Sequence, residues 1–253
     1  MKFDRTNLFT FAPGEAFPEL PLGFGLPDEI VCVTRHLEWE RLPIAYSQGI
    51  FPWYEEGQPV FWWMTDPRMV LQTKNFKVSH SLRKRLKRAL QFKYEDKEIV
   101  LRLDSCRKKV IESCAQPRKG QDGTWITEEI LQSYLALAER NLVHSVEEVL
   151  INQELLGGLY GVSLGRMFYG ESMFSKESDL SKIALSLLVS ICMKEDIPWI
   201  DCQQETSHLK SLGAFLVPLS EFKQHLKEYC SLPPVNWDAY RGVPLNDLLE
   251  KVL

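Results

Sequence analysis

The chain has 253 residues, 45% of them hydrophobic, enough for one large domain or two unequal ones around a real core. It contains no long apolar run and no basic segment leading into an apolar stretch, so a membrane span and a signal peptide are unexpected and a cytoplasmic protein is expected. The net charge of −4 argues against nucleic acid only until its distribution is followed: no acidic residue lies between Pro67 and Tyr94, where nine basic ones fall.

Residues 1–36 are rich in proline, glycine and phenylalanine without a sustained period, which suggests irregular cover or short strands. Leu37, Trp39, Leu42, Ala45 and Tyr46 then draw a partial helical stripe, interrupted by Pro43 and stopped by Gly49. Two aromatic segments, 50–54 and 60–64, flank a turn at 55–59, and Phe61, Trp62 and Trp63 are expected in a core. Aromatic density drops at Asp66-Pro67, which divides an aromatic-rich N-terminal domain of residues 1–66 from a second domain of residues 67–253.

Ser79 can cap a helix with Leu82, Leu86 and Leu90 on one side, leaving Arg83, Lys84, Arg85, Lys87 and Arg88 to face outward. Like charges one turn apart repel unless an anion accompanies them, so these five are candidate contacts to a phosphate backbone. A merely solvated face is the plainer alternative. Leu103, Cys106, Val110, Ile111 and Cys114 mark another helix, residues 116–123 read as a loop, and Thr127 can cap a helix that ends near Asn141.

Strands are expected at 145–151, 155–163 and 166–170, with a turn at 152–154 and an abrupt polar corner at Glu171-Ser172. Ser178 or Asp179 opens a helix carrying Leu180, Ile183, Ala184, Leu187, Leu188, Ile191 and Cys192. Pro198 introduces a strand at 199–203, whose period of two sets Trp199, Asp201 and Gln203 on one face and turns Ile200 and Cys202 to a core. A short helix from Ser207 to Gly213, a strand at 215–217 and an amphipathic helix through Phe222, Leu226 and Tyr229 complete the pattern. The prolines after Cys230 suggest a surface tail. This order implies an α+β protein, an antiparallel or mixed sheet with helices on its faces. The six cysteines and five histidines form no ligand-like cluster, so neither metal nor cofactor is expected.

Four short motifs stand out together: Gly-Ile-Phe-Pro-Trp at 49–53, Gly-Thr-Trp-Ile-Thr at 123–127, Gly-Glu-Ser-Met-Phe-Ser at 170–175 and Asp-Cys-Gln at 201–203. In type and order they closely resemble the leucyl/phenylalanyl-tRNA–protein transferase family, and the likeness spans residues 42–218. The chain departs from the family at Thr34-Arg-His-Leu37, where Gly-Gly-Asp-Leu is expected, and at Leu159 and Leu188, where relatives commonly carry Met and Phe.

The resemblance implies a small N-terminal α+β domain followed by a C-terminal domain similar to the acetyltransferase (GNAT) fold, a mixed sheet flanked by helices. It also implies transfer of leucine or phenylalanine, and less well methionine, from aminoacyl-tRNA to the α-amine of proteins beginning with Arg or Lys, marking them for N-degron degradation. A monomer is expected. By the same resemblance Trp53 and Trp125 belong to the pocket for the aminoacyl-adenosine end, and Phe168 and Met173 to the apolar pocket for the side chain. Glu171 is either a structural corner or the group that holds the aminoacyl amine or the acceptor's Arg/Lys side chain. Asp201 is the acidic member of the catalytic pair and Gln203 the amide that orients the attacking amine or the carbonyl.

A carboxylate of pKa about 4 is a poor base for an ammonium near 8, which favours electrostatic stabilisation by Asp201 over proton removal. Two other classes compete. A CoA-dependent N-acetyltransferase predicts a glycine-rich pyrophosphate loop between a strand and a helix, and none is found. A noncatalytic RNA-binding module would suit the basic helix and the aromatics but has no need of an Asp and a Gln in one cleft with an apolar pocket.

Overall fold

The computed structural model describes residues 15–18, 27–116, 124–150 and 154–253. The loop expected at 116–123 and the turn at 152–154 lie outside the described residues apart from Gln116 and Glu154, as does most of 1–36.

Two sheets organise the chain. β1 (Ile30–Thr34), β2 (Phe51–Pro52) and β3 (Val60–Trp63) form a small antiparallel sheet in the order β1-β3-β2. The large sheet holds β4 (Arg68–Gln72), β5 (Lys93–Tyr94), β6 (Lys97–Leu103), β7 (Val143–Leu150), β8 (Leu155–Leu164), β9 (Met167–Ser175), β10 (Trp199–Gln203) and β11 (Phe215–Val217). Its order is β11-β4-β10-β9-β8-β7-β6-β5, and among the described residues β9 and β10 are the strand pair that runs parallel. With helices on both faces of this mixed sheet, the architecture is α+β.

Period-two alternation splits the sheet's side chains between two cores. Phe168, Ile200 and Leu159 face one of them, together with Leu82, Leu86 and Ala89 of α2 (His80–Leu90) and the apolar length of α5 (Leu180–Lys194). Met167, Tyr169, Tyr160 and Trp199 face the other. That second core also receives α1 (Arg41–Ser47), α3 (Arg107–Cys114), α4 (Glu128–Glu139), α7 (Leu219–Tyr229) and the small sheet, so the aromatic N-terminal residues and the large sheet share one apolar mass. A further short helix, α6 (Ser207–Ser211), is capped by Thr206, whose Oγ1 accepts from Leu209 N at 3.1 Å.

Several local signals act as read. Ser79 and Thr127 accept from the backbone N–H of Leu82 and Ile130, and Gly49, Asn141 and Gly213 all take positive φ at helix ends. Strands β10 and β11 coincide with the expected segments.

Other expectations need correction. Pro43 does not interrupt α1, because the helix starts only at Arg41 and a proline in the first turn has no intrahelical N–H to lose. Leu103 ends β6 rather than opening a helix; Asp104, at φ +56, turns the chain into α3. The segment after Cys230 is not a surface tail. Trp237 is 2% exposed and donates its indole N–H to Ser163 Oγ at 3.0 Å, while buried Asn246 accepts from Leu101 N and donates to Ala89 O. With Val235, Tyr240, Leu245 and Leu249 also buried, these residues close the α5 side of the core, which the prolines concealed. Among the described residues, no helix is long and apolar enough to cross a membrane.

Candidate functional site

The sheet has one discontinuity near its centre. β9 continues against β8 to Ser175, but its ladder with β10 consists of Ile200↔Phe168 and Asp201↔Tyr169 and then stops. Two irregularities at that height explain the break. Gly161 pairs with Gly170 while Tyr160 pairs with Ser172, so Glu171 is an extra, bulged residue, and the expected corner is in fact a bulge within a continuing strand. On β10 the register against β4 also slips between Asp201 and Gln203, and Gln203 takes φ +54. Gly161 permits the local packing: a Cβ there would stand 2.2 Å from the Tyr169 carbonyl and 2.4 Å from the Phe168 ring.

Asp201 faces the α1/α7 side and is 0% exposed. Its two oxygens accept from Arg68 Nε at 2.8 Å and Nη2 at 2.7 Å, a bidentate pair in which both partners are fully buried. Arg68 also donates to the Gly49 carbonyl at 3.0 Å, and its guanidinium lies 4.7 Å from the Phe51 ring and 4.9 Å from the Phe222 ring. Asp201 Oδ1 further accepts the backbone N–H of Gln203 at 3.0 Å, so it holds the left-handed turn from which the Gln203 side chain leaves. The simple alternation that put Asp201 and Gln203 on one face therefore fails at the bulge, and backbone links them instead. Gln203 Nε2 is buried and has no hydrogen-bond partner among the described residues.

Glu171, half-buried, takes a different kind of support. Its Oε1 accepts from Tyr46 Oη at 2.6 Å and its Oε2 from Tyr134 Oη at 2.7 Å, and the two hydroxyls stand 2.6 Å from each other. Burial pushes the Glu171 carboxyl up to about 7; the two hydroxyls and Arg68 oppose that rise and Asp201 adds to it.

The remaining candidates are dispersed. Trp53 is exposed and leans on Trp63 at 5.6 Å, while Trp125 is half-buried beside α4 on the same side of the sheet as Glu171. Phe168 is 1% exposed and faces the opposite core, with Met173 half-buried on that side opposite Leu159. The basic helix α2 also packs on that opposite side. Of its five cations, Arg85 pairs with Asp179 at 3.0 Å, and Arg83 and Arg88 donate to the carbonyls of Leu253 and Glu95. Lys84 and Lys87 are exposed and have no ion pair among the described residues.

Three polar participants escaped the sequence reading. Tyr46 and Tyr134 occupy apolar-stripe positions, but a tyrosine buried in a core must satisfy its hydroxyl, and that requirement was the available signal. Arg68 was counted with the basic segment, although it directly precedes the apolar run Met69-Val70-Leu71.

A sequence model described as leucyl/phenylalanyl-tRNA protein transferase matches residues 70–227, and one for the N-terminal domain of that transferase matches residues 35–66. The chain belongs to the leucyl/phenylalanyl-tRNA–protein transferase family. Proteins of that name from Leptothrix cholodnii, Ralstonia pickettii and Bordetella bronchiseptica are 49%, 47% and 46% identical to it. The first alignment covers 87% of this chain and 86% of the relative, the second 88% and 90%, and the third 89% and 89%. A solved structure of L-PGS from Bacillus licheniformis is a remote likeness: TM-score 0.35, 12% identity, 80% of this chain and 65% of that chain covered. By its family membership the protein is an aminoacyltransferase. Of the side chains around the discontinuity, Tyr46 lies in the transferase's N-terminal match and Tyr134, Glu171, Asp201 and Gln203 in the main one, with Arg68 between the two.

Proposed function

We propose that this transferase moves a leucyl or phenylalanyl group, and less readily a methionyl group, from aminoacyl-tRNA to the α-amine of proteins beginning with Arg or Lys, and that the addition marks them for degradation by the N-degron route. The observation that carries the reading is the end of the β9–β10 ladder, where a carboxyl of near-neutral pKa and an unpartnered amide follow the locked Arg68–Asp201 pair. A cytoplasmic monomer fits it.

The aminoacyl ester is already activated, so holding an amine at attack distance can supply roughly 7–11 kcal/mol without covalent catalysis. In this reading Gln203 orients the amine or the ester carbonyl with its free amide. Asp201 acts as a positioning residue and a fixed negative charge rather than as a base, since both its oxygens are engaged by Arg68. Glu171 receives the ammonium. Met173 and Phe168 belong to the side-chain pocket, and the exposed face of Trp53, with Trp125 beside α4, stacks on the terminal nucleoside. Lys84 and Lys87 are the α2 cations free to meet phosphate; the three arginines support neighbouring backbone and carboxylates first.

Mixing the protein with labelled leucyl-tRNA and a peptide that starts with arginine tests the reading. Acid-stable label on the peptide is the expected result. Retention of the tRNA without transfer would favour a noncatalytic RNA-binding module, and a peptide acetylated from acetyl-CoA would favour an N-acetyltransferase. Gln203→Ala is the cleaner site variant, because Asp201→Asn strands the buried Arg68 and mixes folding with turnover. Gln203→Ala should reduce kcat strongly with tRNA affinity nearly unchanged; equal losses in both would make the residue structural.

A further inference from the structure

We infer that Tyr46, Tyr134 and Glu171 form a closed ring of three hydrogen bonds that stores one proton in the resting transferase, and that an ammonium group docking at the site expels this proton. Three oxygen-to-oxygen contacts of 2.6, 2.6 and 2.7 Å join the three groups pairwise, and each has hydrogen-bond length. Each phenol carries one proton, and an ionised carboxylate carries none. Two protons cannot fill three contacts.

With Glu171 ionised, both tyrosines donate to it and the two hydroxyl oxygens face each other at 2.6 Å with no proton between them. One additional proton removes the conflict. Glu171 then donates from Oε1 to Tyr46, Tyr46 donates to Tyr134, and Tyr134 donates to Oε2, so that every contact is filled. Both phenols are fully buried, so neither hydroxyl can turn to bulk solvent to relieve the mismatch.

The charged and titratable surroundings from each packed element agree with a resting proton. Among the described residues, α1 and α4 present the two phenols, β8 presents Tyr160 with its hydroxyl unpartnered, β10 presents Asp201 and β4 presents Arg68. Arg68 is committed to Asp201 by two hydrogen bonds, so the pair offers Glu171 little net charge. The near-neutral pKa of Glu171 is consistent with this balance but is not what requires the extra proton.

The proton's path rests on the proposed role of Glu171 as the ammonium-binding group. Docking R–NH3+ breaks the Glu171 O–H bond and sends that proton to water, while the ring opens into two tyrosine-to-carboxylate hydrogen bonds and the ammonium donates to the same carboxylate. Before the nitrogen attacks the ester it must lose a proton. The carboxylate is then the acceptor at hand: an N–H bond breaks, the Glu171 O–H bond re-forms, and the ring closes. Tyr46 and Tyr134 are positioning residues in this cycle.

Two measurements test the ring. The infrared carbonyl band of a protonated carboxyl should be present in the unliganded protein at pH 6, absent from Glu171→Gln, and lost in the wild type as pH rises past 8. Absence of a band assignable to Glu171 at pH 6 overturns the proposal. Tyr134→Phe breaks the ring without touching the carboxyl and should shift that band; an unmoved band also counts against the ring.

Calorimetry of arginine amide binding at pH 6, in two buffers of different ionisation heat, should give about one proton released per molecule bound, and none for Glu171→Gln. Binding without release refutes the expulsion step. No binding of arginine amide, with the infrared band in place, would instead sink the assignment of Glu171 to the ammonium and leave the ring standing.

Discussion

Asp201 and Glu171 lie on neighbouring parallel strands and look into the same side of the sheet, yet the fold treats the two carboxyls in opposite ways. Asp201 meets a guanidinium in bidentate geometry, itself held between two phenyl rings, so its charge is matched and fixed. Glu171 meets two phenols and no cation within hydrogen-bond reach, so its carboxyl is poised between charged and neutral forms near pH 7. A matched pair is suited to holding geometry; a poised acid is suited to exchanging a proton. In the proposed site, the two tasks of peptide formation, orientation and proton handling, fall to neighbouring carboxyls through the choice of partner.

The largest expected effect breaks the matched pair. Arg68→Met leaves Asp201 charged, buried and unpaired, and should cost about 3–5 kcal/mol of unfolding free energy in urea denaturation. Adding Asp201→Asn should recover part of that loss. If the double variant is as unstable as the sum of the singles, the pair is not coupled and the contrast fails.

Next in size is the pH dependence of Glu171. Its folded pKa is raised from 4.5 to about 7, so the folded chain holds this proton more tightly than the unfolded one. Its contribution is therefore complete below pH 4.5 and is lost as pH rises to 7, by about 3 kcal/mol in all, with little further change above. A pH series of urea midpoints should show this fall in the wild type and a reduced fall in Glu171→Gln.

A third carboxyl sharpens the comparison by having neither kind of support. Glu148 is 0% exposed, and neither of its oxygens finds a side-chain partner among the described residues; burial raises its pKa well above the usual range, opposed only by the Ala184 backbone. Its side chain fits because Gly157 opposite has no Cβ, which would stand 2.5 Å from Oε2. Glu148→Val should raise stability by about 1–3 kcal/mol, more at pH 8 than at pH 5, in chemical denaturation. Destabilisation would mean that the acid is paired after all.

Much of this contrast was readable in the chain, and the unread part has a physical cause. Periodicity identified β10 and the inward face of Ile200 and Cys202, and the motif order singled out Glu171, Asp201 and Gln203. Strand periodicity assumes an uninterrupted pleat, so it missed the bulges that make Glu171 an extra residue and turn Gln203 into the left-handed region. Partners were harder still. Arg68 is 133 residues from Asp201, and Tyr46 and Tyr134 lie 125 and 37 residues from Glu171, separations over which no local pattern carries information. The segment after Cys230 misled because proline density reports irregular backbone and says nothing of burial, and there Trp237 and Leu249 fill the core without regular strands.

The smallest effect separates hydroxyl support from burial as the cause of Glu171's behaviour. Burial raises its pKa, and Tyr134→Phe takes one hydrogen bond from the carboxylate form but opens the three-contact ring of the protonated form, while keeping the phenyl group that excludes water. The ring is the larger loss, so the midpoint of the pH-dependent stability step should move downward, with a loss of about 1 kcal/mol at pH 5 and less at pH 8. An upward shift would mean that Tyr134 chiefly supports the carboxylate by donating to it, and would count against the closed ring. An unmoved midpoint would assign the poise of this carboxyl to burial alone, and the difference from Asp201 would reduce to the presence of one arginine.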